Sequence, residues 1–179
     1  MDDWELRRHD GTEALAMLDR LADVYQQVYS EPPYDSSGTM NERQTFLDRT
    51  TAQAQRDGFQ LVTAHPHSAL EEIAGYSFGL PFPAWWRGAS TEEPAELDGV
   101  SRFAVIELIV HASWRGHGLG RALMDELLAS RPEEYATLLS RPDTAARQMY
   151  RRWGWRKIDE VQPYADAPTM DALLLPLAR

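Results

Sequence analysis

The chain has 179 residues, 43% hydrophobic and 26% charged, with a mean hydropathy of −0.50, which excludes a disordered or membrane-spanning chain. One domain of this length buries roughly two-thirds of its unfolded surface. With 18 basic against 28 acidic residues the net charge is −10, which argues against nucleic acid as a partner, and the absence of cysteine excludes disulfides, thiolate catalysis and Cys-zinc sites.

Trp4 to Arg8 reads as a first strand. Asp10 then offers an N-cap, with Glu13 three residues later completing a capping box. Leu15, Leu18, Leu21, Ala22, Tyr25, Val28 and Tyr29 follow at helical spacing, so one helix is expected. Glu31-Pro32-Pro33-Tyr34 ends it, and Ser36, Ser37 and Gly38 continue the loop. Asn41 to Arg56 reads as a second, more polar helix, stopped near Asp57-Gly58. Phe59 to Ala64 is a strand, with His65-Pro66-His67-Ser68 as an exposed turn. Ile73 to Leu80 is the next strand, where Gly75 and Gly79 point to a bulge or a close backbone approach. Pro81 to Gly99 is a long connection holding Trp85 and Trp86.

Phe103 to Val110 is the most apolar strand, interrupted by Glu107. A glycine-rich segment leads into a helix reaching about Arg131, with Leu119, Ala122, Leu123, Leu127 and Leu128 as its apolar positions. Tyr135 to Leu139 is a strand, and Pro142-Asp143 opens a helix that ends at Gly154. Trp155 to Ile158 and Met170 to Leu175 close the chain as strands. The order βααβββαβαββ describes a mixed α/β domain in one piece. Neither a basic n-region nor an apolar h-region marks the N-terminus, so a cytoplasmic protein without membrane contact is expected.

The sharpest feature is Arg115-Gly116-His117-Gly118-Leu119-Gly120-Arg121, set between a buried strand and an amphipathic helix. Glycines let the backbone turn tightly, and a helix start adds free N–H groups and the positive end of its dipole. Together these suit a pyrophosphate. A P-loop needs Lys-Ser or Lys-Thr, and Lys157 is the only lysine. The spacing G-x-G-x-G also differs from the dinucleotide fingerprint G-x-G-x-x-G.

Leu108-Ile109-Val110-His111 followed by this loop resembles the acetyl-CoA motif of the GNAT N-acetyltransferase superfamily. Asp143, Ala146, Tyr150, Gly154 and Trp155 look like its second motif, with Asp for the usual Asn and Trp for the usual Phe. The resemblance implies a single GNAT-like domain over 1–179, with 1–100 as the acceptor side and 101–160 as the cofactor core. It implies a V-shaped, splayed central sheet flanked by helices. Acetyl-CoA would be the co-substrate. Leu108, Ile109 and Val110 would bond pantetheine, and Arg115, Gly116, His117, Gly118, Leu119, Gly120 and Arg121 would hold the pyrophosphate, with Asp143 a further cofactor contact. Tyr150 would protonate the leaving thiolate.

Glu107 shares a strand face with Phe103, Val105 and Ile109. A carboxylate there either relays the amine proton or is a salt-bridged structural group. The Val110 amide is the candidate oxyanion donor. Arg141, Arg147, Arg151, Arg152, Arg156 and Lys157 form a basic stretch that either meets a phosphate of CoA or faces solvent. Glu92, Glu93, Glu96 and Asp98, with Trp85, Trp86 and the Glu31 to Tyr34 turn, suit a cationic acceptor wall or a solvated acidic loop. No metal is assigned, because His65 and His67 lack a carboxylate or Cys partner in their turn. The reading is direct acetyl transfer to a small cationic primary amine. The alternatives are a protein N-terminal or lysine acetyltransferase and a non-catalytic acyl-CoA sensor. Leu173-Leu174-Leu175 could serve a homodimer or the core.

Overall fold

The computed structural model describes residues 3–32, 34, 42–86, 88–89, 92–163 and 167–177. The elements are β1 (Trp4–His9), α1 (Gly11–Ala16), α2 (Leu18–Tyr29), α3 (Arg43–Ala54), β2 (Gln60–Pro66), β3 (Gly75–Pro81), β4 (Arg102–Val110), α4 (Leu119–Leu128), β5 (Tyr135–Ser140), α5 (Ala145–Arg152), β6 (Arg156–Val161) and β7 (Met170–Pro176). They form a mixed seven-stranded sheet of order β1-β2-β3-β4-β5-β7-β6, flanked by helices, in two compact units that divide within β4.

The first unit comprises residues 1–80 and 106–129. Asp10 makes the expected capping box: its carboxylate accepts from the Glu13 amide at 2.9 Å, and Glu13 accepts from the Asp10 amide at 3.0 Å. The single helix expected behind it is two, broken at Met17 (φ −113°, ψ 13°). Met17 donates back to Ala14, an i→i−3 bond that tightens the turn without any Gly or Pro to announce it. Residues 33 and 35–41, with the loop serines and the expected helix start at Asn41, lie outside the described residues. α2 buries Leu21, Ala22, Val24, Tyr25 and Val28 against Phe46 of α3 and Leu61, Tyr76, Phe78 and Ile109 of the sheet. Each such large side chain contributes about 1.5–3 kcal/mol by leaving water. Gly75 supplies the expected close approach: a Cβ there would lie 2.6 Å from the Ile109 carbonyl oxygen.

Strand β2 runs on to Pro66, so His65 is not an exposed turn residue; it is buried, with Nε2 2.8 Å from the Thr63 hydroxyl. Alternation explains the difference, since Thr63 and His65 point to one face of the strand.

The second unit comprises residues 81–105 and 130–179. Here β4 pairs in parallel with β5 only over Arg102–Ala104 and Tyr135–Thr137. β5 continues antiparallel to β7 as far as Ser140 opposite Asp171. β4 thus has no β5 partner beyond Ala104 among the described residues, the register expected of a splayed sheet. Leu173 and Leu174 are fully buried, so this part of the leucine tail serves the core. α5 is capped by Thr144, whose hydroxyl accepts from the Arg147 amide, and not by Asp143. The Asp143 carboxylate is already held by Arg141 at 2.8 Å. The long connection 81–99 is anchored: Trp86 donates to the Thr137 hydroxyl at 3.0 Å, and the Gly88 carbonyl accepts from Gln162 at 2.9 Å.

Candidate active site

In the first unit, β4 leaves β3 with alternate backbone groups turned each way. The His111 amide donates to Ala74, the Ser77 hydroxyl donates to the Glu107 carbonyl, and the Ile109 carbonyl faces Gly75. By alternation, Leu108 and Val110 turn their backbone groups away from β3. That is the strand edge a pantetheine arm could pair with, in the manner of an added strand. Ile109 instead spends its side chain on the core. The Val110 carbonyl accepts from Arg115 Nε at 3.0 Å.

After a short 3-10 turn over Ala112–Trp114, the glycine loop follows. Gly116 and Gly118 have φ of +81° and +86°, a left-handed backbone that other L-residues adopt at a penalty of roughly 1–2 kcal/mol. Nothing lies within 4 Å of where their Cβ atoms would be, so the loop is open above them. Gly118 is the N-cap of α4, and its carbonyl accepts from Arg121 and Ala122. Among the described residues, the amides of Gly116, His117, Gly118, Leu119 and Gly120 donate to no backbone carbonyl outside the regular elements. The first amides of a helix lack intrahelical partners, and beside an open face they fit a pyrophosphate. Arg115 is tied to Glu31 at 2.6 Å and Arg121 to Asp125 at 2.7 Å, so the loop's side-chain charge is largely matched and its backbone carries the attraction.

Glu107 is buried on the face of β4 expected from its alternation. Its Oε1 accepts from Arg49 Nη2 at 2.8 Å, and its Oε2 accepts from the Tyr29 hydroxyl at 3.1 Å. Burial pushes its carboxyl up; the Arg49 charge and the Tyr29 hydrogen bond pull it back only in part, so it lies above the usual carboxylate range. Burial would lower the Arg49 guanidinium, but the Glu107 charge outweighs it and the cation is secured. Burial and the same carboxylate drive the Tyr29 phenol well above its ordinary value, so it stays protonated. Tyr29 stacks on Tyr25 at 4.3 Å and leans on Tyr34 at 5.2 Å. Arg49 and Tyr29 had no sequence signal for this role. Tyr29 reads as one more apolar helix position and Arg49 as a polar helix residue; their partner is 58 to 78 positions away.

In the second unit, Tyr150 is buried on α5, edge-on to Trp153 at 5.7 Å and to Trp155 at 6.0 Å. The basic stretch around it is mostly neutralised by acids distant in sequence. Arg147 meets Asp171 at 2.7 Å, Lys157 meets Asp171 at 2.8 Å, and Arg156 meets Glu96 at 2.5 Å. Glu93 pairs with Arg102, so two of the four loop carboxylates are engaged. A cavity of about 380 Å³ in the first unit, lined by Arg20, Asp23, Glu71, His111 and Trp114, includes neither Glu107 nor the glycine loop. Among the described residues no three His, Asp or Glu side chains group as metal ligands, and no helix is long and apolar enough to cross a membrane.

Residues 71–157 match the family described as an acetyltransferase (GNAT) domain. No curated protein matches the chain. Solved structures that share its fold include the following three. A histone acetyltransferase HPA2 and related acetyltransferase from Corynebacterium glutamicum is 17% identical, with 99% of this chain and 98% of that one covered and a TM-score of 0.68. The PaiA N-acetyltransferase from Thermoplasma acidophilum, in complex with coenzyme A, is 9% identical over 98% and 99%, with a TM-score of 0.64. The ribosomal-protein-S18-alanine N-acetyltransferase from Escherichia coli is 15% identical over 98% and 95%, with a TM-score of 0.63. The glycine loop and β4 both fall inside the segment that matches the GNAT acetyltransferase domain.

Proposed function

We propose that this GNAT domain, whose family performs acetyl-CoA-dependent acetyl transfer, passes the acetyl group directly to a small cationic primary amine. The observation that carries this reading is the loop from Arg115 to Arg121, with left-handed Gly116 and Gly118 opening α4 at the end of β4. Its amides would hold the pyrophosphate, and the backbone of Leu108 and Val110 would align pantetheine. Acetyl-CoA supplies an activated thioester when bound; the chain's residues orient it and move protons.

With no cysteine to carry an acetyl group, direct attack in a ternary complex is the simplest route. The Val110 amide would stabilise the oxyanion. Glu107, a carboxyl held above its usual range, accepts the proton the amine sheds. Tyr150 donates to the departing thiolate; a phenol near ~10 and a thiol near ~8.5 are close enough for that transfer. The net charge of −10 supports a cationic acceptor. The acidic loop supports it less, because Glu93 and Glu96 are spent on Arg102 and Arg156.

The test is CoA-thiol release with spermidine, kanamycin, a peptide with N-terminal alanine and a lysine peptide. Release with spermidine or kanamycin supports the reading, and release with the peptides alone replaces it with a protein acetyltransferase. Acetyl-CoA binding with no release from any of the four moves the chain to the sensor reading. Tyr150→Phe is expected to lower kcat about 10²-fold with acetyl-CoA affinity unchanged within twofold, read by titration calorimetry. Turnover equal to wild type would remove the acid role.

A further inference from the structure

Glu107 is nearly sequestered from water, yet the reading above asks it to take a proton from a substrate. Around it, Arg49 comes from α3, and Tyr29 and Tyr25 come from α2. Tyr76 comes from β3, and the Ser77 hydroxyl occupies its backbone carbonyl. Tyr25 and Tyr76 are buried in the core. Arg49 and Tyr29 are both half-buried and both hydrogen-bond the carboxylate, but only the Tyr29 hydroxyl can accept a proton as it gives one, and it sits in the last turn of α2, just before Glu31.

We propose that Tyr29 is a catalytic residue: its hydroxyl takes the proton from the acceptor amine while passing its own to Glu107, so the buried base acts through the phenol. This rests on the acetyltransferase reading. The amine nitrogen attacks the thioester carbon, forming the C–N bond and an oxyanion. The N–H proton of that adduct goes to Tyr29 Oη as the Tyr29 proton moves to Glu107 Oε2. The oxyanion then collapses, the C–S bond breaks, and the thiolate takes the Tyr150 proton. Glu107 afterwards returns its proton to water and Tyr150 regains one, so the cycle balances. Arg49 is a positioning residue here. It fixes Oε1, leaves Oε2 for Tyr29, and keeps the carboxylate ionised and ready to accept.

A phenol pushed well above its ordinary value could not act as a free base, because it would not ionise. A relay needs no ionised tyrosine. The phenol stays neutral before and after the step, and only its hydrogen is exchanged.

The experiment compares wild type, Glu107→Gln, Tyr29→Phe and a chain with 3-fluorotyrosine at position 29, using acetyl-CoA and spermidine (or the amine that releases CoA in the panel above). A relay predicts that Tyr29→Phe lowers kcat about 10²-fold, with KM changed less than threefold. It also predicts that Tyr29→Phe loses the same acidic limb of the pH profile that Glu107→Gln loses. The fluorinated chain should keep its fold and show a changed kcat, because the phenol's acidity enters the step. If Glu107→Gln loses the limb and Tyr29→Phe keeps both limb and rate, the relay is wrong and Glu107 remains the base. If neither variant moves the limb, the base reading fails and takes the relay with it. One arm needs no acceptor. The ¹⁹F resonance at position 29 should titrate with the Glu107 carboxyl and stop titrating in Glu107→Gln; a resonance indifferent to Glu107 overturns the proposal.

Discussion

Arg102 and Glu107 lie on the same strand, and each is almost entirely removed from water. Arg102 is surrounded by fixed acceptors. Its nitrogens donate to the carbonyls of Phe82 at 3.3 Å, Leu97 at 3.2 Å and Pro83 at 3.0 Å, and to the Glu93 carboxylate. Three of the four partners are main-chain oxygens that cannot titrate. Glu107 has two side-chain partners, a cation and a phenol. Its burial is incompletely compensated, so its carboxyl is pushed up. A buried charge satisfied by backbone holds a loop in place. A buried charge left to a phenol keeps a proton within reach of chemistry.

The comparison predicts opposite phenotypes. Glu107→Gln should lower kcat about 10²-fold while the protein stays folded, measured by steady-state kinetics beside a urea unfolding curve. Equal kcat would make Glu107 as structural as Arg102. Arg102→Met should do the reverse. Three carbonyls and Glu93 lose their donor and the variant loses about 3 kcal/mol of unfolding free energy. Its kcat per folded molecule should stay within a few-fold of wild type. Glu93→Gln should cost about 1 kcal/mol or less, because Glu93 is over a third exposed and the backbone acceptors of Arg102 remain. A loss as large as that of Arg102→Met would mean that the ion pair, and not the carbonyl cage, holds the loop.

The smallest effect is a pH dependence of stability with opposite sign at two carboxylates. Glu107 holds its proton to higher pH folded than unfolded. Wild type should therefore lose stability relative to Glu107→Gln as pH rises above the unfolded value near ~4.3. Asp171 is the contrast. Burial would raise it, but the hydrogen bonds from Lys157 and Arg147 prevail and hold it below the usual range. Its stabilisation is present above the unfolded value near ~3.9 and is lost as pH falls through the lower folded value, relative to Asp171→Asn. Urea unfolding from pH 3 to 7 reads both. Slopes of the same sign would show that the two environments are not electrostatically distinct.

Features written in neighbouring residues were legible in the sequence. Asp10 and Glu13 cap one another across a single turn. The alternation of Phe103, Val105, Glu107 and Ile109 placed Glu107 on the buried face. The glycines of 115–121 turned between a strand and a helix as expected, and the GNAT fold follows from that segment. Features made by distant side chains were not legible. The partners of Glu107 come from two helices whose residues carry no shared period with β4. Arg156 and Lys157 read as surplus charge until Glu96 and Asp171 are brought beside them. The turn at Met17 has no Gly or Pro to mark it.

We propose that the backbone of the glycine loop holds acetyl-CoA. The direct measurement is calorimetric titration of acetyl-CoA into wild type and into the doubly substituted Gly116→Val, Gly118→Val protein, each verified as folded by circular dichroism. One site per chain with micromolar affinity, about −8 kcal/mol, is expected, weakened at least tenfold by the two valines. Absence of binding to the folded wild type, or binding that the two valines leave unchanged, would contradict it.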